Sequence, residues 1–271
     1  MAYYLETAIG MYAQTLSVSN EFDSTVVNRL SSLWLSHYDD DELNSHIGGH
    51  LQTVPSHKFV ALIYQLSGRL DEPKEASEFQ KVLQPLLYRL GKEHPFHCVY
   101  QLITLRDAHI HAPNLSKARQ SSSHSRKSTG GGVAADGPTG RGRAALAVLH
   151  RIAKSSSKTA QRLKNLDTYC AAAIAWCNWD ARPLNKLLAK KKGGQAPQIE
   201  PTQPISRLQD LDIPVPTATL PVDPSAQYKT FVRIKRVSSS FSLAGGIHLP
   251  KITTMYGSDG RSYKQLVSIE A

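Results

Sequence analysis

No stretch of this sequence approaches the ~18 consecutive apolar residues that a membrane-spanning helix needs. The N-terminal MAYYLETAIGMYA has no basic lead-in, and its first charge is Glu6, so it lacks the pattern of a signal peptide. The expectation is a soluble chain with no membrane partner. Cysteine is scarce as well. Cys98, Cys170 and Cys177 make an odd number without framework spacing, which excludes a disulfide-stapled scaffold and points to a reducing compartment. Cys170 and Cys177 lie seven apart on one face of a predicted helix and read as core fillers. Acid is scarce in one place only. From Lys117 to Lys164 eleven basic residues stand against the single acid Asp136, which equals the whole net charge of +10. The basicity belongs to a segment and not to the fold, so direct DNA binding is not expected.

What is present begins with helical periodicity. Val26, Val27, Leu30, Leu33 and Trp34 form one apolar stripe, and Phe59, Leu62, Ile63 and Leu66 a second. Phe79, Val82, Leu83, Leu86, Leu87 and Leu90 form a third. Asp23-Ser24, the acidic run Asp39 to Glu42, Pro55 and Pro95 mark helix starts. Connections of a few residues make consecutive helices pack as antiparallel hairpins, and a row of hairpins is an α-solenoid.

From His109 to about Gly142 the pattern collapses into Ser, Gly and basic residues, with too little apolar surface to offset the entropy of ordering. Helix resumes near Ala144 and runs to Trp179. It stops at KKKGGQAP, where lysines meet a glycine pair. Seven prolines from Pro197 to Pro224 then punctuate an extended linker. Beyond it the period becomes that of strands, at Phe231 to Ile234, Ile252 to Met255 and Tyr263 to Val267. Turns fall at Ala244-Gly245-Gly246 and Gly257 to Gly260.

Three motif-like clusters carry little. GPTGRGR lacks the Gly-Lys-Ser/Thr ending of a phosphate loop. His94, His97, Cys98, His109 and His111 have poor spacing for a structural zinc site, and helix packing is the preferred reading. His46 and His50 stand one helical turn apart, but without the glutamate of a metalloprotease helix.

The segment LDIPVPTATLPV, followed by FSLAGGIHLPKITTMYGSDGRSYKQLV, closely resembles the entry into the kinase domain of the ATM/Tel family of phosphatidylinositol 3-kinase-related protein kinases. Upstream, LWLSHYDDDELNSHIGGHLQTVPSHKFVALIYQLSGRL and KEHPFHCVYQLITL look like the C-terminal part of that family's FAT domain, a helical solenoid that clasps the kinase. The resemblance covers most of the chain except the basic insert and points to the fungal telomere-maintenance branch. It implies a mainly α fold: an α-solenoid of antiparallel helical hairpins, a Pro-rich linker and a short antiparallel β segment. The divisions are residues 1–108 (FAT-type solenoid), 109–142 (a disordered basic Ser/Gly insert), 143–192 (further FAT helices), 193–227 (Pro-rich linker) and 228–271 (the start of the catalytic domain).

The family consists of nuclear Ser/Thr kinases directed at Ser/Thr-Gln sites, which answer double-strand breaks and maintain telomeres using ATP and Mg. Its members pair as homodimers and meet DNA-break sensor proteins and protein substrates. Carried over, Phe241, Ser242, Leu243, Ala244, Gly245, Gly246 and Ile247 fall on the family's glycine-rich loop, with Lys251 following. Two residues without Cβ let a backbone approach a phosphate and offer it amide N–H groups; a plain Gly-Gly hairpin is the competing reading. Lys251 either points its charge at the nucleotide or sits on an exposed strand.

One departure matters most. Where the family has the lysine that holds the nucleotide phosphates, this sequence has Ser268, which supplies no cation for phosphoryl transfer. The catalytic loop and the metal-binding Asp-Phe-Gly do not occur in these 271 residues. The expectation is therefore a kinase cut inside its N-lobe: a scaffold with no catalytic residue, no metal and no cofactor of its own. Val267-Ser268 can be encoded by GTGAGC or GTGAGT, which resembles the start of an intron, so the break itself reads as a gene-model artefact. The alternatives are a standalone helical-repeat interaction module and a weak nucleic-acid binder acting through residues 117–164.

Overall fold

The computed structural model describes residues 2–72, 77–120, 139–184, 196–245 and 249–268. The chain divides into two compact units, Met1–Ala160 with Val222–Gln227, and Gln161–Pro221 with Tyr228–Ala271.

The first unit is helical: α1 (Ala2–Val18), α2 (Asp23–Ser36), α3 (Asp41–Thr53), a 3-10 helix (Ser56–Leu62), α4 (Ile63–Ser67), α5 (Glu78–Glu93), α6 (Pro95–Gln120) and α7 (Gly140–Lys154). The periodic stripes form its core. Val27, Leu30 and Trp34 of α2 are buried, as are Phe79, Leu83, Leu86, Leu87 and Leu90 of α5. The α3 start follows the acidic run, because Asp40 accepts from the Leu43 amide at 3.0 Å. Asp23, read as a start marker, lies inside the first turn of α2 and pairs with Lys58 instead.

Two boundaries differ from the sequence reading. The Phe59 to Leu66 stripe is one buried face, but it winds as a 3-10 segment before α4 instead of one α-helix. Helix α6 continues through Gln120, past the collapse of apolar pattern at His109, and α7 begins at Gly140, where Thr139 caps Gly142. Once several turns of helix are nucleated, adding residues costs little even where no apolar face remains. Residues 121–138 of the proposed insert, and the lysine-glycine run at 190–194, lie outside the described residues.

Helices that stack leave their terminal carbonyls short of donors. Here long side chains supply them. Buried Lys58 donates to the carbonyls of Leu16 and Ser19 at the end of α1, and to Asp23 at 2.8 Å. Arg89 donates to the carbonyls of Leu51, Gln52 and Val54 at the end of α3, at 2.8 to 3.1 Å. Asn44 accepts from the Trp34 indole at 2.8 Å and donates to the carbonyls of His37, Tyr38 and Asp40.

The second unit packs α8 (Ser157–Asn178), whose first turn holds the unit boundary, against an antiparallel sheet of order β1-β2-β3-β4. The strands are β1 (Gln209–Pro214), β2 (Arg233–Leu243), β3 (Lys251–Gly257) and β4 (Ser262–Val267). Strand periodicity predicts three of these; β1 is hidden inside the Pro-rich linker. Its partner β2 lies about twenty residues on, so no local hairpin announces it; the alternation Leu211, Ile213, Val215 is its signal in the sequence. β2 is irregular between Val237 and Phe241, where it takes a second partner: Phe241 donates to the Pro197 carbonyl at 3.0 Å, and Ser239 accepts from Ile199.

Candidate functional site

The glycine-rich segment is the turn joining β2 to β3. Phe241, Ser242 and Leu243 are strand residues paired with Thr253, Ile252 and Lys251. The Ala244 amide donates to the Pro250 carbonyl at 2.8 Å and closes the hairpin. A Cβ on Gly245 would meet nothing within 4 Å, so the backbone there is open to approach. Gly246 and Ile247 lie outside the described residues.

Alternation along β3 separates two faces. Lys251, Thr253 and Met255 are buried, while Ile252, Thr254 and Tyr256 are half-buried. The buried face meets α8. There the Trp176 indole donates to the Thr253 hydroxyl at 3.0 Å, and Gln265 of β4 donates to the Tyr169 hydroxyl at 2.6 Å. Burial pushes the Tyr169 phenol up to about 12. Trp176 stacks on Trp179, centroids 5.2 Å apart, and Phe241 meets Trp176 edge-on at 4.9 Å. Phe241 is thus an anchor of the hairpin to the helix, with its ring turned toward α8.

Lys251 belongs to the same buried face, contrary to the reading of an exposed strand position. It is 4% exposed, donates to the Cys177 carbonyl at 2.9 Å and lies within 6 Å of both indole rings. Burial holds its ammonium below the usual lysine range, against the opposing pull of Cys177 and Asp180. The charge closes the last turn of α8, whose carbonyls attract a cation. The pattern of a lysine opening a strand after Leu-Pro gives no hint of this, because its partner is a backbone atom 74 positions away.

The opposite face carries Ser242, Ile252 and Leu266 in register, then Thr254 with Lys264. Leu266 is 62% exposed. Two residues beyond it, Ser268 falls on this same face by alternation, adjacent to the hairpin. Ser268 thus lies beside the hairpin turn. At the far end Arg236 lies 3.7 Å over the Tyr256 ring. On the sheet's first pair, Asp212 of β1 takes Arg233 at 2.6 Å and Arg162 of α8 at 3.3 Å. Burial opposes ionisation of Asp212, but those two guanidinium bonds hold its carboxyl below the usual range.

The histidines and cysteines have separate partners. The His94 ring is buried against the Ser56 hydroxyl oxygen at 2.9 Å, and that hydroxyl donates its proton to Glu93. Burial holds His94 down at about 4 and pushes the Cys98 thiol up to about 12. His109 contacts the Arg106 carbonyl, and His46 lies 4.0 Å from Glu6. Among the described residues no group of three metal-ligating side chains converges. Cys170 and Cys177 are half-buried on α8.

No family model matches the chain. Curated relatives do. The chain is 30% identical over 265 residues to the serine/threonine-protein kinase TEL1 of Cryptococcus neoformans, covering 97% of this chain and 8% of that protein. It is 30% identical over 270 residues to the serine-protein kinase ATM of Sus scrofa, with the same coverage. Among solved structures, the FAT and kinase domain of CtTel1 superposes with a TM-score of 0.75 at 25% identity, over 98% of this chain and 16% of that one. The open conformation of CtTel1 gives the same TM-score at 26% identity, over 98% of this chain and 9% of that one. The chain thus spans 8% of the length of these two relatives. The resemblance to the ATM/Tel kinases holds along the chain, and the fold is that of a FAT and kinase region.

Proposed function

We propose that this chain is the junction of an ATM/Tel-type Ser/Thr kinase, where the last FAT helices meet the first hairpin of the catalytic domain. Its 271 residues act as a scaffold without catalysis of their own. The observation that carries this is the seam between α8 and the sheet: Trp176 to Thr253, Tyr169 to Gln265 and Lys251 to Cys177. These three pairings across the seam fix the position of the hairpin, and none reaches the open face. In the whole kinase such a seam orients the glycine-rich segment, Phe241 to Ile247 in the sequence, toward ATP and Mg. The whole kinase on this reading is nuclear, acts on Ser/Thr-Gln sites, and serves double-strand-break signalling and telomere maintenance. The complete CtTel1 dimer with C2 symmetry supports a homodimer.

We expect the open face to hold a nucleotide poorly. Backbone amides at the turn must compete with water for a highly charged ligand, and Ser268 adds no cation. ATP binding is expected no tighter than about millimolar. Calorimetry and a Ser-Gln peptide assay on the purified chain test this; micromolar, Mg-dependent binding lost on Gly245→Val would overturn it. The cellular reading is checked by deleting the gene, which should sensitise cells to double-strand breaks and shorten telomeres.

A further inference from the structure

In the helical unit, α3 and α5 enclose a groove of about 490 Å³. Gly48 and Gly49 form one wall, and Val82, Pro85 and Leu86 the other. The two glycines have different reasons to be there. A Cβ on Gly48 would meet Val82 at 3.1 Å, so close helix packing explains it. A Cβ on Gly49 would meet nothing within 4 Å. Glycine in a helix interior is unfavourable relative to alanine, and at Gly49 packing gives no return for that cost. What its bareness does is keep the groove open.

The rim is basic and its charge is available. Lys92, in the lining, and Arg151 of α7, just outside it, lie over the Tyr88 ring, 6.0 and 4.6 Å from its centroid. Among the described residues neither has a carboxylate within ion-pairing distance. Lys81 also lines the groove, paired with Glu78 at 2.6 Å. The acid in the lining, Glu93, is engaged by the Ser56 hydroxyl. Pro85 has no N–H, so the Lys81 carbonyl receives no i→i−4 helical bond from it.

We propose that this groove docks an acidic peptide segment. An apolar anchor residue seats between Gly49 and Pro85, and carboxylates next to it meet Lys92 and Arg151. An apolar floor with unpaired cations at one end fits a chain that alternates the two kinds of residue. A flat anionic surface would leave the floor empty.

The test uses the full chain and a fluorescein-labelled Glu-Glu-Leu-Glu-Glu-Leu peptide, with its glutamine counterpart, read by anisotropy. The acidic peptide should bind and weaken as salt rises, while the glutamine peptide should not bind. Lys92→Glu and Arg151→Glu should each weaken binding by roughly tenfold. Gly49→Tyr, an exposed position, should abolish binding without lowering the thermal midpoint. Gly49→Ala should keep binding and raise the midpoint. No binding to the parent chain, equal binding of the glutamine peptide, or indifference to Gly49→Tyr would overturn the proposal. So would an oligonucleotide that competes through Lys92 and Arg151, which would make this a nucleic-acid face.

Discussion

The helical unit and the sheet-bearing unit are held together by different chemistry. In the first, long polar side chains travel to helix ends: Lys58 to α1, Arg89 to α3, and Asn44 to the turn before α3. In the second, one such contact recurs, Lys251 at the end of α8, but the other pairings run side chain to side chain between α8 and the strands, and aromatic rings fill the space between. The difference follows from where each architecture leaves its backbone groups. Every stacked helix buries carbonyls that its own turns cannot satisfy, so a donor must come from elsewhere. A sheet satisfies its interior backbone by pairing and needs anchors only for its face. Polar side chains are thus structural in one unit and positional in the other.

The sharpest way to break the second arrangement is Trp176→Ala. The indole is 1% exposed, stacks on Trp179 and donates to Thr253. Truncation should cost about 3–5 kcal/mol, from the cavity and the orphaned hydroxyl. Denaturant unfolding gives the magnitude, and amide exchange in β3 shows where protection is lost. Trp176→Phe, which fills most of the space, should cost clearly less. Equal losses would mean that the hydrogen bond and not the packing secures the seam.

The corresponding cut in the helical unit is Lys58→Met. It preserves the apolar stem but leaves two α1 carbonyls and Asp23 without their donor. We expect a loss of about 2–3 kcal/mol. Asp23→Asn should cost less, since that carboxylate is 30% exposed and water can replace the pair. If the two variants cost the same, the ion pair matters and the helix end does not, and the contrast drawn between the units fails.

That contrast also explains what is legible in the sequence. Helix positions follow from apolar period, so Leu30, Trp34, Leu83 and Leu87 can be read as core from their spacing alone. The partners of Lys58 and Arg89 are backbone atoms some 35 to 42 positions distant, and no residue pattern encodes them. Strand β1 is concealed by its prolines and by a partner beyond the linker. At the candidate site, the turn and its open glycine are legible from the Gly-Gly pair. The inward fate of Phe241 and Lys251 is not, because alternation says which residues share a face but not which face meets a helix.

A third effect belongs to the helical unit and depends on pH. His94 is buried against Ser56, with Glu93, His97, His57 and Asp223 as its charged or titratable neighbours. Burial is the dominant cause of its depression from 6.5 to about 4; His97 and His57 add to it, and Glu93 and Asp223 oppose it. A histidine depressed on folding binds its proton more readily when unfolded. Its contribution is therefore intact above pH 6.5 and is lost as pH falls toward about 4. His57, also lowered chiefly by burial, acts in the same direction. Urea midpoints over this range should fall with pH, and His94→Gln should flatten the slope while His57 retains part of it. An unchanged slope in that variant would place the titration elsewhere.

The smallest expected effect probes how closely helices approach when their ends are tied from outside. A Cβ on Gly91 of α5 would clash with Ile152 Cδ1 on α7 and sit 3.7 Å from Leu102 Cδ1 on α6. Ile152 is fully buried and has nowhere to retreat. Alanine gains up to about 1 kcal/mol of helix preference, and overpacking costs about 1–3 kcal/mol. Gly91→Ala should therefore destabilise by about 1–2 kcal/mol. Ile152→Val removes the clashing Cδ1, so adding Gly91→Ala to that background should cost nothing or stabilise. The double-mutant cycle isolates the contact from the propensity change. A Gly91→Ala chain that melts higher by itself would show α5 and α7 sliding apart at no cost, and the helical unit would then be held by its caps alone.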